Sequence, residues 1–291
     1  MKNLEKCILC SSSMEDIFEY HDYIYSRCLV CSLVSTYPIP DEKAIIAHYK
    51  ERNSGGNYEL YQDYKDKYSN VYKGYADQIN KYLIKFSNPN LSGKKILDIG
   101  CLTGDFLEIM DERGATPYGV ELQKEAVEIA NKKFPGRIFQ ADIFSNDFPN
   151  MTFDIISVLG VIEHVVDPDK LLQRSYELLN PGGLIILQTP DSSSFLAKLM
   201  GKYWFCYEPI EHIHLFSKNS INLVLENLFL KNIVVKQHWK TLPINYIFLQ
   251  LKNFGTEFYN FFKPLENIFK KIELSVPFYI GEMLIIAKKP D

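Results

Sequence analysis

A regular alternation of short apolar strands and amphipathic helices, beginning near Lys94, is the feature that most constrains the fold of this chain. Strands are predicted at 95–99, 116–121, 137–141, 153–159 and 184–189, and helices at 105–113, 123–134 and 169–179. Such an alternation folds as a parallel sheet with helices on both faces. We therefore predict an α/β fold built on a doubly wound, Rossmann-like sheet.

The last third of the chain extends this pattern. A helix is predicted at 217–227, with Ser217 as its N-cap, and strands are predicted at 231–239 and 283–288. Between these strands, residues 241–280 are rich in aromatic side chains and are predicted to form a helical insertion. The phenylalanines and lysines of 244–272 fit contact with a membrane or lipid-linked substrate, or else a core, cap or homodimer contact.

The composition indicates which binding partners and which cellular compartment to expect. Among 291 residues, 32 Lys and Arg stand against 36 Asp and Glu, which argues against a protein whose whole surface binds nucleic acid. No run of 18 apolar residues is present, so no membrane-spanning helix is expected, and the first residues do not resemble a signal peptide. We therefore expect a cytoplasmic, reducing compartment, where the six cysteines do not form three disulfides.

Four of these cysteines form two C-x-x-C pairs near the N-terminus, Cys7 with Cys10 and Cys28 with Cys31. The spacing is typical of a zinc site made of four thiolates, and metal-free thiols or a redox pair are the alternative. Four thiolates leave no coordination position open for water, so the zinc is predicted to be structural. Residues 1–40 are therefore predicted to form a zinc-binding module.

Residues 41–92 are predicted to be a helical connector. Tyrosines recur at spacings of three or four, as on one face of a helix: Tyr58, Tyr61, Tyr64, Tyr68, Tyr72 and Tyr75. This face either packs on the main domain or forms a lid whose phenols line a substrate cleft.

Three acidic residues lie at the carboxyl ends of three successive predicted strands: Asp98, Glu121 and Asp142. In a doubly wound sheet, an acid at the end of the second strand reaches a ribose diol. Asp142 lies along the same edge, where it could accept an adenine amino group. Gly100 and Gly104 let a ligand approach the backbone, although N-capping of the following helices would also explain Asp98 or Asp142.

These segments resemble the motifs of class I S-adenosylmethionine-dependent methyltransferases. The matching runs are Leu97-Asp98-Ile-Gly100-Cys-Leu-Thr-Gly104, Gly119-Val-Glu121, Gln140-Ala-Asp142-Ile143, Phe153-Asp154-Ile-Ile-Ser and Leu178-Leu-Asn-Pro-Gly-Gly183. The resemblance covers 94–289 and implies a methyltransferase domain at 93–291. It also implies seven strands in the order 3-2-1-4-5-7-6, with the seventh antiparallel.

The same resemblance implies the residues that bind the cofactor, S-adenosylmethionine. Glu121 would hold the ribose, Asp142 and Ile143 the adenine, and Gly100 and Gly104 the methionine portion. The implied set is completed by Asp98, Cys101, Phe106, Leu122 and Leu159. The N-terminal half is similar to a subgroup in which a C-x-x-C module precedes this domain, associated with methylation of surface sugars, sugar nucleotides or secondary metabolites.

Two clusters compete to supply a base for a hydroxyl acceptor. Glu163 and His164 follow the fourth strand. The second cluster follows the fifth strand and resembles the Glu-His segment of sugar C-methyltransferases; it comprises Tyr207, Glu211, His212 and His214. Alternation along 211–216 predicts that His212 and His214 lie on one side, with backbone hydrogen bonding as the alternative. Metal-binding quinone O-methyltransferases of this fold carry an acid where this chain has Gly160, so no metal is expected at Glu163.

The sequence therefore predicts methyl transfer to a small molecule, a sugar nucleotide or related biosynthetic intermediate. One alternative is an RNA methyltransferase that grips RNA with its zinc module, although residues 1–40 contain three basic residues against five acidic ones. The other is a non-catalytic interaction protein on a degenerate methyltransferase fold.

Overall fold

A computed structural model describes residues 6–20, 22–41, 44–45, 47, 72–77, 80–81, 91–145, 148–149, 151–244, 260, 263 and 275–291. Four of the predicted connector tyrosines, Tyr58, Tyr61, Tyr64 and Tyr68, lie outside these residues, as does most of 241–280.

The secondary structure follows the predicted alternation. The strands are β1 (Met14–Tyr20), β2 (Tyr23–Cys28), β3 (Val34–Tyr37), β4 (Lys95–Ile99), β5 (Thr116–Glu121), β6 (Ile138–Gln140), β7 (Phe153–Leu159), β8 (Leu179–Pro190), β9 (His214–Leu215), β10 (Lys231–Pro243) and β11 (Ser275–Lys288). The helices are α1 (Asp105–Glu112), α2 (Lys124–Lys133), α3 (Pro168–Leu178), α4 (Phe195–Met200) and α5 (Lys218–Asn227). Two 3-10 turns are described, at Ile162–His164 and Gly201–Tyr203.

Seven strands form the main sheet in the order β10-β11-β8-β7-β4-β5-β6. The five strands from β8 to β6 are parallel, whereas β11 runs antiparallel to both β8 and β10. Read in chain order, this is the predicted order with the predicted antiparallel strand, so the fold prediction is confirmed.

The central strands are apolar at consecutive positions because both faces of the sheet are covered. On β8, Leu184 and Ile186 belong to one hydrophobic cluster, and Ile185 and Leu187 belong to the other. The first cluster contains residues of α1, α2 and 72–77, and the second contains residues of α3 and α5. Within the described parts of the chain, no helix is long and apolar enough to cross a membrane.

The helix after β9 begins as the sequence predicts. The Ser217 hydroxyl accepts a hydrogen bond from the Ser220 N–H at 3.1 Å, and the Ser220 hydroxyl accepts in return from the Ser217 N–H at 2.8 Å. This reciprocal capping fixes the start of α5 because it satisfies two N–H groups that lack partners within the helix.

A second, smaller sheet has the order β1-β2-β3-β9. Three of its strands lie in the N-terminal 40 residues, and β9 comes from the chain segment that follows β8. The N-terminal module and the main domain therefore share one sheet.

Two sequence predictions differ from the structure at strand ends. The strand predicted at 184–189 begins earlier, so Pro181-Gly182-Gly183 lies inside β8, where the pairing with β7 shifts register between Phe153 and Ile155. Both ends of the predicted helical insertion 241–280 are strands, because β10 continues to Pro243 and β11 begins at Ser275. These ends pair with each other across a long antiparallel ribbon, and that pairing overrides their local pattern.

Candidate active site

The predicted acids lie along one edge of the main sheet. β4, β5 and β6 are adjacent and parallel, so their carboxyl ends meet at the same edge. Glu121 ends β5 and is paired with Gln140 of β6, two residues before Asp142. Asp98 is the penultimate residue of β4. The structure therefore brings Asp98, Glu121 and Asp142 to neighbouring positions.

Asp98 is a buried carboxyl group. It accepts a hydrogen bond of 2.6 Å from the Ser157 hydroxyl of β7. Burial raises its pKa to about 7, the Ser157 hydrogen bond opposes that rise, and the charge of Glu121 adds to it. The N-cap of α1 is Gly104, so capping of that helix does not account for Asp98.

Glu121 holds the turn between β4 and α1. Its Oε2 accepts from the Leu102 N–H at 3.1 Å, and its Oε1 accepts from the N–H groups of Leu122 and Gln123 at 2.8 and 2.9 Å. A carboxylate offers about four acceptor positions, so one position is left for a ligand.

Gly100 begins this turn in a conformation that other residues rarely adopt, with φ of 74°. A Cβ at this position would lie 2.5 Å from Cγ2 of Val161. Any larger residue would therefore push the turn away from the segment that carries Glu163 and His164. Gly104, at the other end of the turn, has φ of 77°.

Apolar side chains flank Asp142 at the same edge. Its Oδ1 accepts from the Phe144 N–H at 2.9 Å, which fixes the turn after β6. Ile143 is buried, whereas Leu122 and Phe144 are 67% and 52% exposed. Exposed apolar groups beside a polar acceptor suit the faces of a flat base. Phe144 was not predicted, although an aromatic residue just after the Asp142-Ile143 pair is a visible signal.

Three of the predicted cofactor-binding residues have side chains that pack in or against the hydrophobic core. Cys101 is buried, and a Cβ on Gly119 of β5 would lie 2.5 Å from its sulfur. Phe106 is buried within the cluster under α1, and Leu159 is half-buried at the end of β7. The side chains of all three pack in or against the core, and their contact with the cofactor stays a prediction.

The two predicted base clusters meet beside this edge. The rings of His164 and His212 are 4.9 Å apart, and the Nε2 of His164 lies 3.9 Å from Oε1 of Glu163. Glu163 is 3% exposed and accepts from the Thr189 hydroxyl at 3.0 Å. Burial raises the pKa of Glu163 to about 7, while the neighbouring His212 lowers it.

The hydrogen bonds of His212 define its tautomer. Its Nδ1 lies 2.7 Å from the carbonyl oxygen of Cys206. A carbonyl only accepts, so Nδ1 donates and the neutral ring carries its lone pair on Nε2. One atom from each of Glu163, His164 and His212 lies within 4.8 Å of the others, close enough to share a divalent cation. The glycine at position 160 predicts no metal here, but the sequence gives no sign that His212 joins Glu163 and His164 as a third group.

The remaining predicted catalytic residues are buried. His214 is fully buried and hydrogen-bonded through both ring nitrogens, to Ser35 and to the carbonyl of Val166. Tyr207 packs against Phe18 of the N-terminal sheet, and burial raises its pKa. Glu211 is also buried. The imidazole that lies against His212 is thus His164, whereas the predicted alternation had paired His212 with His214.

The four N-terminal cysteines form one cluster. The sulfurs of Cys7 and Cys31 are 3.6 Å apart, those of Cys10 and Cys28 are 3.4 Å apart, and all four lie within 4.8 Å of one another. Zinc–sulfur bonds of about 2.3 Å in a tetrahedron place the sulfurs about 3.8 Å apart, so this donor set fits zinc. The N–H groups of Val30 and Cys31 also point at the sulfur of Cys28, each at 3.4 Å.

Comparisons with known proteins agree with this fold. A family model described as a methyltransferase domain matches residues 70–233, more than half of the chain. A ubiquinone biosynthesis O-methyltransferase of Pseudomonas fluorescens is 31% identical over 107 residues, which is 34% of this chain and 46% of the relative. The chain thus spans about half the length of the curated relatives it matches.

Solved structures share the fold at low sequence identity. An S-adenosylmethionine-dependent methyltransferase from Archaeoglobus fulgidus is 20% identical with a TM-score of 0.50, over 79% of this chain and 99% of that one. Magnesium protoporphyrin IX methyltransferase from Synechocystis PCC 6803, with bound S-adenosylhomocysteine, is 16% identical with a TM-score of 0.54, over 85% and 100%.

Proposed function

This chain belongs to the class I S-adenosylmethionine-dependent methyltransferases, and from that premise we propose that it transfers a methyl group from this cofactor to a small-molecule acceptor. The main support for this proposal is that two groups of polar side chains lie at one edge of the sheet. Glu121 and Asp142 form one, and Glu163, His164 and His212 form the other.

The first group has the hydrogen-bond acceptors and the apolar surfaces that the cofactor needs. Glu121 would offer its remaining acceptor position to the ribose. Asp142 would accept from the adenine, and the exposed side chains of Leu122 and Phe144, which follow β5 and β6, would contact its faces. The turn at Gly100 brings the backbone to the methionine portion. When bound, the cofactor supplies an electrophilic methyl group on a sulfonium.

The second group has the arrangement of a general base. We assign proton removal to Nε2 of His212, because the bond from Nδ1 to the Cys206 carbonyl leaves the lone pair there. Once protonated, the imidazole would be stabilised by the buried Glu163 nearby. Thr189 and His164 keep Glu163 and His212 in position. A neutral imidazole suits a hydroxyl acceptor, which must lose a proton on methylation.

For the acceptor we propose a sugar nucleotide or a related biosynthetic intermediate. The support is the similarity of the 207–217 segment and of the N-terminal module to sugar methyltransferases of this fold. An aromatic hydroxyl is the second candidate, because curated relatives are named ubiquinone biosynthesis O-methyltransferases. The N-terminal module is not basic, which disfavours RNA as the acceptor.

We further propose that residues 1–40 bind one structural zinc through Cys7, Cys10, Cys28 and Cys31. The support is that all four sulfurs lie within 4.8 Å of one another and that the three strands of the module are short. We also propose a cytoplasmic location, because a reducing compartment would keep these thiolates available to bind zinc.

The proposal is tested by incubating the protein with S-adenosylmethionine labelled in its methyl group and a cell extract, then separating small molecules from RNA. We expect the wild-type protein to label the small-molecule fraction and the His212→Gln protein to leave it unlabelled. Label confined to RNA and removed by nuclease would replace the acceptor class. If the protein binds the cofactor but transfers no methyl group, the result would favour the alternative of a non-catalytic protein on a degenerate methyltransferase fold.

A further inference from the structure

The chain that carries His212 is built into the N-terminal sheet. Two residues after it, β9 pairs with β3 through Ser35 and His214. The N–H of Thr36 also donates to the carbonyl of Ile213 at 3.1 Å. The position of His212 therefore depends on the N-terminal module as well as on the main sheet.

His214 joins three parts of the molecule. Its Nε2 lies 3.2 Å from the carbonyl of Val166, and its Nδ1 lies 2.9 Å from the Ser35 hydroxyl. The carbonyl can only accept, so Nε2 donates and Nδ1 accepts from Ser35. This neutral ring links the N-terminal sheet to the segment just after Glu163 and His164.

Further contacts between the module and this segment lie on either side of His214. The Ser217 hydroxyl donates to the carbonyl of Cys31 at 2.9 Å, next to the four-cysteine cluster. The ring of Tyr207 lies 4.7 Å from Phe18 and 4.8 Å from Tyr25. Residues 207–217 are therefore held by the module at both ends.

We propose that the N-terminal module is a structural part of the acceptor site. It sets the separation of His164 and His212, and His214 is the positioning residue that transmits this constraint. The inference rests on the proposed function, because it concerns the geometry of the assigned base. A misplacement of about 1 Å can lower a reaction rate about 100-fold. The predicted cofactor-binding acids lie on or just after β4, β5 and β6, and these strands do not pair with the module.

The test compares variants that differ only in this connection. Ser35→Ala removes the hydroxyl that bonds His214, and His214→Leu removes both ring hydrogen bonds. His214→Gln keeps a donor for the Val166 carbonyl. The matched control is Ser26→Ala, which removes a buried hydroxyl of the same module whose 2.7 Å bond goes to Asp16, within the N-terminal sheet.

Two readouts separate positioning from folding and from the proposed function. The first is the nuclear Overhauser effect between the ring protons of His164 and His212 in protein labelled at histidine, which needs no methyl transfer. The second is the rate of label transfer into the small-molecule fraction, set against the dissociation constant of S-adenosylhomocysteine.

Ser35→Ala and His214→Leu are expected to lose the ring contact and to slow transfer about 10- to 100-fold, with cofactor affinity unchanged. His214→Gln should restore much of both signals, and Ser26→Ala should match the wild type. Folded Ser35→Ala and His214→Leu proteins with the wild-type ring contact and transfer rate would overturn the inference. If the wild type labels no small molecule, the proposed function fails, and the ring contact alone decides the positioning role.

Discussion

Replacing Glu121 is predicted to weaken cofactor binding by an amount that follows from its hydrogen bonds. The carboxylate accepts from the N–H groups of Leu102, Leu122 and Gln123, which leaves about one acceptor position for the ribose. A hydrogen bond to a charged group contributes about 1.5–3 kcal/mol. Glu121→Ala should therefore raise the dissociation constant of S-adenosylhomocysteine about 10- to 150-fold.

Glu121→Gln separates the contributions of the two carboxylate oxygens. Its amide oxygen can still accept from Leu122 and Gln123, but its amino group faces the N–H of Leu102. We expect a loss of affinity near the lower end of that range. Isothermal titration calorimetry measures the affinity, urea unfolding checks the fold, and exposed Glu125→Gln on α2 is the control. A folded Glu121→Ala protein with wild-type affinity would refute the ribose assignment.

Three further predictions concern metal content and pH. Cys28→Ser should remove one equivalent of zinc measured by mass spectrometry and lower the melting temperature, since the module is too small to fold without its metal; zinc-free wild-type protein contradicts this. Because the pKa of Glu163 is raised to about 7 by burial, its ionisation costs folding stability as pH rises from 4.5 to 7. Glu163→Gln should abolish up to about 3 kcal/mol of that loss in urea unfolding at pH 5 and 8. Burial lowers the pKa of His214 to about 4, so below pH 6.5 the unfolded chain binds a proton that the folded protein does not bind. Folding stability therefore falls as pH falls below 6.5. His214→Gln should remove about 2 kcal/mol of the decline between pH 7 and 5, and an unchanged pH dependence would contradict the assignment.

The main sheet could be predicted because its signals are local. Runs such as Leu184–Leu187 are apolar at every position, as strands covered on both faces must be. Glycines and acids then mark the carboxyl ends of β4 and β5. The order of the seven strands, however, came from the family resemblance, since alternation alone does not fix which strands are neighbours.

The sequence does not predict features that depend on pairing between strands far apart in the chain. β9 is only two residues long, and its partner β3 lies nearly 180 residues earlier in the chain, so no local pattern reveals it. The extension of β10 to Pro243 likewise depends on pairing with the start of β11 at Ser275.

The base cluster was predicted as two separate candidates, and only the fold brings them together. Period-two alternation predicts His212 beside His214, but His212 lies outside the two-residue strand, which begins at His214. Two buried hydroxyls position the acids. Ser157, which bonds Asp98, ends the Phe153-Asp154-Ile-Ile-Ser run but was assigned no role there, and Thr189, which bonds Glu163, lies in no motif. Phe144 was within reach of sequence reasoning, because it follows the Asp142-Ile143 pair.

The most direct test of the account uses S-adenosylmethionine with a deuterated methyl group. The protein is incubated with a nuclease-treated, deproteinised extract, and mass spectrometry locates the label. We predict that a hydroxyl oxygen of a small molecule acquires the deuterated methyl with wild-type protein and does not with His212→Gln. Equal labelling by both proteins would contradict the assigned base, and the absence of any labelled small molecule would contradict the proposed reaction.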